Sequence, residues 1–266
     1  MPTQKWMVVC QMCWIGIGTV SMLGVRKMLA DLPPLEFGPL DVLVFCGTIF
    51  GYHFAQPDRV LRAIAWIAGG IAGYCYFVVP LPTEWLLIVP VLVWASYYGW
   101  KWPLRAGLRW NPAWKPFAVA FAWAWVTVLL PLPFAPSWTL LLLFVSRMAF
   151  FVALALSYDL HDRDYDQQRG LFTMANRLGT VPTLRLIDLA LLLACLFNLF
   201  QCFFTPLSLP QSIALTLSYL LTHYLLRYVF REKAGLRWRK FLIDAPMPLQ
   251  WILLYLAQGD LTRFFF

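Results

Sequence analysis

The stretch Ser157-Tyr-Asp-Leu-His-Asp-Arg-Asp-Tyr-Asp-Gln-Gln-Arg-Gly170 places Asp159, Asp162 and Asp166 at i, i+3 and i+7. On a continuous helix these side chains fall within an arc of about 60°, with Asp164 on the other side. Three carboxylates on one face repel each other unless a cation sits among them. Oxygen-only ligands suit Mg²⁺, which takes carboxylates completed by water and substrate phosphates. Arg163, Arg169 and Lys101 stand nearby for phosphate oxygens that a metal leaves free. The plainer reading is a solvated charged loop, because Asp, Arg and Gln are ordinary in helix connections. A second pattern, Cys10-x-x-Cys13, has zinc or redox spacing but lacks a second pair or a His-x-x-x-His. All six cysteines lie in apolar segments and read as buried thiols acting as small hydrophobes.

The elements that must position the aspartates follow from composition. Of 266 residues, 61% are hydrophobic and only 13% charged, and mean hydropathy is +0.67. Ordinary soluble domains carry about 25% charged residues, so a cytosolic globular enzyme is excluded. Apolar residues come in blocks of roughly twenty broken by Pro and charge, which also excludes disorder, collagen and coiled coil. The fold class expected is all-α, a polytopic membrane bundle of nine transmembrane helices. The spans fall near 6–25, 40–57, 60–80, 84–100, 117–134, 137–158, 184–204, 211–230 and 242–258. One transmembrane domain, 1–266, is expected, with candidate motif loops at 51–62 and 157–180. The first apolar block shows no small-residue cleavage site and reads as a retained span.

Charge sets the expected orientation. Fifteen Lys and Arg fall in alternate connections, from Arg59 and Arg62 through Lys101 to Lys115, Arg163 to Arg185 and Arg231 to Lys240. Only Arg26, Lys27 and Arg263 fall on the opposite side. The positive-inside rule then makes the N-terminus cytoplasmic and the C-terminus opposite. The net charge of +8 is thereby a membrane-face property, and nucleic acid is not an expected partner. Trp, Tyr and Phe at span ends read as interfacial belts and packing.

With these elements in place, Asp159-x-x-Asp162-x-x-x-Asp166-x-x-x-Gly170-x-x-Thr173, followed by Leu178-Gly179, resembles the second aspartate-rich motif of the UbiA-type membrane prenyltransferases. Tyr97-x-x-x-Lys101, closing the fourth expected span, resembles that family's Tyr-x-x-x-Lys element. The resemblance implies a UbiA-like fold and transfer of a prenyl group from a polyprenyl diphosphate to an aromatic or other lipophilic acceptor. It implies Mg²⁺ held by Asp159, Asp162 and Asp166, with Tyr97, Lys101 and Arg163 in catalytic positions. Gly170 and Thr173 fall among the substrate-binding positions, together with His53, Asp58, Arg59, Arg62 and Arg147.

The family's first motif, Asn-Asp-x-x-Asp-x-x-x-Asp, should close the second span, where this chain has Gly51-Tyr-His-Phe-Ala-Gln-Pro-Asp-Arg59. With His53 at the Asn position, Phe54, Pro57 and Leu61 stand where aspartates belong, and Asp58 is out of register. Four readings stay open. Fewer metal ions could serve, with basic side chains neutralising the leaving group. The donor could differ from a prenyl diphosphate. His53 with Gln56 could bind a metal or another headgroup. The fold could persist without the chemistry, as a lipid or quinone binder, transporter or assembly partner. Membrane phosphatidyltransferases are set aside because Arg163-Asp164 stands where Gly should follow Asp162. Arg147 lies about 18 Å along a helix from Asp159, inside the bilayer. An Arg there costs roughly 2.5–3.5 kcal/mol on insertion scales, so it faces a cavity or partner, or snorkels outward. Asp188, Asn198 and Asp244 are polar groups at or within spans to which the sequence gives no role.

Overall fold

A computed structural model describes residues 2–33, 36–54, 57–78, 85–98, 107–108, 111–131, 137–168, 170, 173–204, 207–231 and 236–258. Those residues form helices α1 (Pro2–Met28), α2 (Pro39–His53), α3 (Arg59–Val78), α4 (Trp85–Tyr98), α5 (Trp114–Leu129) and α6 (Trp138–His161). They continue as α7 (Arg163–Gln168), α8 (Met174–Leu178), α9 (Thr180–Phe204), α10 (Leu209–Arg231), α11 (Leu236–Asp244) and α12 (Pro246–Ala257). The protein is all-α, as composition required.

Local signals start the helices where the chain turns back. Pro39 opens α2 after Gly38, whose N–H donates to the Asp41 carboxylate at 2.8 Å. Ser137 caps α6 by accepting from the Leu140 N–H at 3.1 Å. Asp58 caps α3, accepting from the N–H groups of Val60 and Leu61.

Among the described residues, five helices are long and apolar enough to cross a membrane, namely α1, α3, α6, α9 and α10. The expected count of nine crossing helices is corrected to this number. At the other four positions α2, α4, α5 and α12 have 15, 14, 16 and 12 residues. Over the described residues, at 1.5 Å per residue, they cover about 18–24 Å, short of a ~30 Å hydrocarbon core. Within the expected span 242–258, Ala245 stays α-helical in φ and ψ between α11 and α12, and the interruption comes at Pro246, which has no N–H to donate; α4 carries Pro90 internally.

Small residues let α5, α6 and α9 approach closely. Ala120, Ala124, Ala153 and Ala194 are fully buried and Ala190 nearly so, around Phe150, Ile187 and Tyr219. Large apolar side chains face outward instead, among them Phe77, Trp138 and Phe203, as lipid-facing surfaces require. Cys46 and Cys75 are buried as expected, whereas Cys10 and Cys13 are exposed on α1, and all four are unbonded.

The helices run alternately up and down, so one end of the bundle gathers the C-termini of α2, α4 and α6 with the N-termini of α3, α5 and α9. Bonds at that end include Tyr98 to the Gly51 carbonyl, Lys115 to Asp159, and Arg163 to Thr180. Lower in the bundle Asp188 of α9 pairs with Arg227 of α10 and lies 3.0 Å from His223.

Candidate functional site

The polar end of the bundle is organised around one lysine. Lys115 lies in the first turn of α5, ahead of its apolar run. Its Nζ is 2.6 Å from Asp159 Oδ1, in the last turn of α6, and 3.2 Å from Asp166 Oδ2 on α7. Both aspartates are buried, at 3% and 4% exposure. Burial alone would push the ammonium down. The Asp159 carboxylate, with Tyr97 and Asp166 nearby, outweighs it and holds Lys115 above the usual lysine range. Asp159 Oδ2 is buried without a hydrogen-bond partner among the described residues.

Asp162 turns elsewhere. The helix from α6 does not continue evenly through it: Asp162 is the C-cap of α6, with φ −89° and ψ 10°, and α7 starts at Arg163. Its Oδ1 sits 3.3 Å from Lys240 Nζ and 3.6 Å from His161 Nε2. The single carboxylate face expected from the spacing is therefore split into a pair, Asp159 with Asp166, and a third group facing α11. Behind them the Tyr158 hydroxyl donates to Asp244 Oδ2 across 2.5 Å, and Asp244 is 1% exposed. Tyr52 lies close to that carboxylate, and its hydroxyl accepts from Trp123 Nε1 at 2.7 Å.

Below this end opens an apolar cavity of about 620 Å³, within the range of small-molecule sites. Its walls come from α2, α4 and α5, with Val44, Phe50, Trp94, Ala122 and Trp123 prominent. Trp94 Nε1 and the Tyr98 hydroxyl both donate to the Gly51 carbonyl, tying α4 to α2 across one side. Tyr52 and Tyr97 line the cavity and also stand near Asp244 and Lys115 respectively. A charged head and an apolar tail therefore have adjoining places.

The residues anticipated from the sequence divide three ways. Asp159 and Asp166 come together, and Tyr97 joins them. Arg163 lies one residue from Asp162, with one guanidinium nitrogen donating to Thr180 Oγ1 at 3.2 Å. His53, at the C-terminus of α2, lies near enough to Lys240 of α11 to feel its charge. Asp58 is outside the cluster: it pairs with Lys5 at 2.7 Å, and that ammonium and the α3 N–H groups hold its carboxyl below the usual range. Arg59 and Arg62 are exposed on α3. Gly170 and Thr173 have structural explanations, a turn at φ +69° and the N-cap of α8. Arg147 faces the bundle interior but does not line the cavity. It donates to Gln250 Oε1 and towards Met22 Sδ, while Gln250 donates to Ser218 at 2.8 Å. Lys101, Arg105, Arg109, Arg169 and Gln56 lie outside the described residues. Lys115 and Tyr158 were not singled out by sequence reasoning, and Asp244 was noted without a role, because their partners lie tens of residues away.

The donor set can be tested for the Mg²⁺ that the resemblance implies. Mg²⁺ needs near-octahedral oxygens at about 2.0–2.1 Å, several of them water. Here the space between Asp159 and Asp166 is taken by the Lys115 ammonium, and Asp162 faces two other nitrogens. Among the described residues no three His, Cys, Asp or Glu side chains converge to hold one ion. As arranged, these aspartates do not fit a shared Mg²⁺ cage.

A solved structure of a digeranylgeranylglyceryl phosphate synthase in membranes superposes on this chain with a TM-score of 0.59, covering 96% of each chain at 12% identity. The chain has the fold of that synthase. No protein-family profile and no curated protein matches it. The likeness establishes a relation to the UbiA-type fold over nearly the whole chain. A fold can host several chemistries, so what this one does has to be argued from the site.

Proposed function

We propose that the protein is a divergent UbiA-type integral-membrane transferase. It moves an isoprenoid group from a polyprenyl diphosphate to an aromatic or other lipophilic acceptor. The observation that carries this reading is the junction at Tyr97 and Tyr52, where the buried Lys115 cluster meets the apolar cavity. A polyprenyl chain suits the cavity walls, and a diphosphate suits a lysine-bearing mouth. The fold shared with a synthase supports the same assignment. The distribution of basic connections supports a cytoplasmic mouth and a cytoplasmic N-terminus.

In the reaction, the bond between the allylic carbon and the bridging oxygen breaks, and its electron pair leaves with the diphosphate. Positive side chains at the mouth, Lys115 first, stabilise the charge that develops there. The allylic cation is left among the rings of Trp94, Tyr97 and Trp123, whose faces attract positive charge. Apolar walls exclude the water that would trap the cation. The acceptor's nucleophilic atom then forms the new bond and releases its proton to the departed diphosphate.

Geranylgeranyl diphosphate is expected to raise the thermal unfolding temperature of the detergent-purified protein, and geranylgeraniol to do so much less. A temperature unmoved by the diphosphate sinks the reading. A second reading, a non-catalytic lipid or quinone binder, is favoured by the pairing of Asp58 with Lys5 and Asp162 with Lys240. It predicts equal stabilisation by the alcohol and the diphosphate, and no prenylated product with any acceptor.

A further inference from the structure

The carboxylate pair that most resembles a metal site already contains a cation covalently attached to the chain. An ammonium has three N–H donors. Asp159 Oδ1 and Asp166 Oδ2 take two of them, at 2.6 and 3.2 Å. The Lys115 side chain keeps 14% exposure, against 4% and 6% for the two aspartate side chains, so it is the least enclosed member of the cluster. Its charge is felt by Tyr97, which lines the cavity. Of the four carboxylate oxygens two face the ammonium, and of the other two Asp159 Oδ2 is buried with no partner among the described residues; two oxygens flanking a fixed positive charge are too few to hold a divalent ion against water.

Without Lys115 the arithmetic changes. Two buried carboxylates would face one another with no counter-charge and offer up to four oxygens, a donor set that hard divalent ions accept. The lysine thus does two things at once. It neutralises the repulsion between Asp159 and Asp166, and it holds the position that a metal would need.

We infer that Lys115 is a built-in replacement for a divalent cation: it closes the Asp159–Asp166 pair to metal and presents its remaining N–H to an anionic phosphate oxygen of the ligand. The phosphate half of this inference rests on the transferase reading. The metal half rests on geometry alone. The two are separated by the experiment.

The metal half is read with Mn²⁺ as the probe, by the electron paramagnetic resonance signal of free Mn²⁺ during titration of full-length protein in detergent. Wild type and Asp159→Asn are expected to bind equally little. Lys115→Met is expected to take up one further equivalent per chain, and the double variant Lys115→Met with Asp159→Asn to lose it again. A wild-type equivalent that disappears in Asp159→Asn overturns the inference, as does a folded Lys115→Met that gains nothing. If Lys115→Met does not fold, the comparison of wild type with Asp159→Asn still decides, because the Asn variant keeps Lys115 paired with Asp166.

The phosphate half is read from unfolding temperature with geranylgeranyl diphosphate in EDTA and then in Mg²⁺. Stabilisation of equal size in both is expected. Stabilisation that appears only with Mg²⁺ overturns the inference. No stabilisation under either condition overturns its phosphate half together with the transferase reading, while the Mn²⁺ titration still decides the metal half.

Discussion

Tyr158 and Asp244 show how much a single buried contact can depend on its neighbour. The phenol donates to Asp244 Oδ2 at 2.5 Å, and the carboxylate has almost no access to solvent. Removing the hydroxyl in Tyr158→Phe leaves a buried acceptor short of a donor, a loss of about 1–3 kcal/mol. Asp244→Asn is expected to cost less, because an amide oxygen still accepts from Tyr158. Thermal unfolding in detergent separates the two, and equal losses would mean that the hydrogen bond is not what Tyr158 supplies. The legibility of these residues follows their separation in the chain. Asp159 and Asp166 stood out because seven positions bring two groups back to one helical face. Lys115 and Asp166 meet across 51 positions, and Tyr158 and Asp244 across 86, so no local spacing marks either contact. In the sequence Lys115 was one more basic residue of a charged connection, and Asp244 a polar group without a role.

At the scale of elements, α2 and α3 form a close pair because Gly69 gives the Phe50 ring room. A Cβ at Gly69 would sit 2.7 Å from Phe50 Cδ2, inside any ordinary contact. Helix propensity alone would make Gly69→Ala stabilising by about 1 kcal/mol. Overpacking acts the other way, at roughly 1–3 kcal/mol. The ring has little freedom to yield, since Trp66 meets it edge-on at 5.1 Å and Trp94 lies at 6.0 Å. A net loss of stability is therefore expected, together with weaker stabilisation by geranylgeranyl diphosphate, because Phe50 lines the cavity. A higher unfolding temperature in Gly69→Ala would refute the tight contact. Helix positions were readable from apolar blocks and prolines, since both act within a few residues. Their lengths were less so. The block 242–258 looks continuous in hydropathy, yet its hydrogen-bond ladder is interrupted at Pro246, which has no N–H, although Ala245 stays α-helical. Similarly, i, i+3 and i+7 put Asp162 beside Asp159 only while the helix is regular, and it ends at Asp162.

For the whole molecule, the alternation of apolar blocks with charge specified an all-α membrane bundle, and the up-and-down order gathers the ends that carry function. What such a pattern cannot specify is the space left between helices. The cavity exists because α4 leans on α5 and reaches α2 through aromatic and carbonyl contacts, leaving apolar volume below Gly51. Gly47 of α2 lines that volume, and a Cβ there would meet nothing within 4 Å. Gly47→Leu is expected to fold about as well as wild type, since the helix gains a better former and the Cβ has open space before the rest of the side chain enters the cavity. Its side chain would occupy space that the proposed prenyl tail needs. Stabilisation by geranylgeranyl diphosphate is expected to fall several-fold, while that by the shorter geranyl diphosphate is retained. Equal loss for both chain lengths would mean that the substitution disturbs the Lys115 mouth and not the depth of the cavity. No loss for either would place the tail outside this cavity altogether and leave its apolar walls to another ligand.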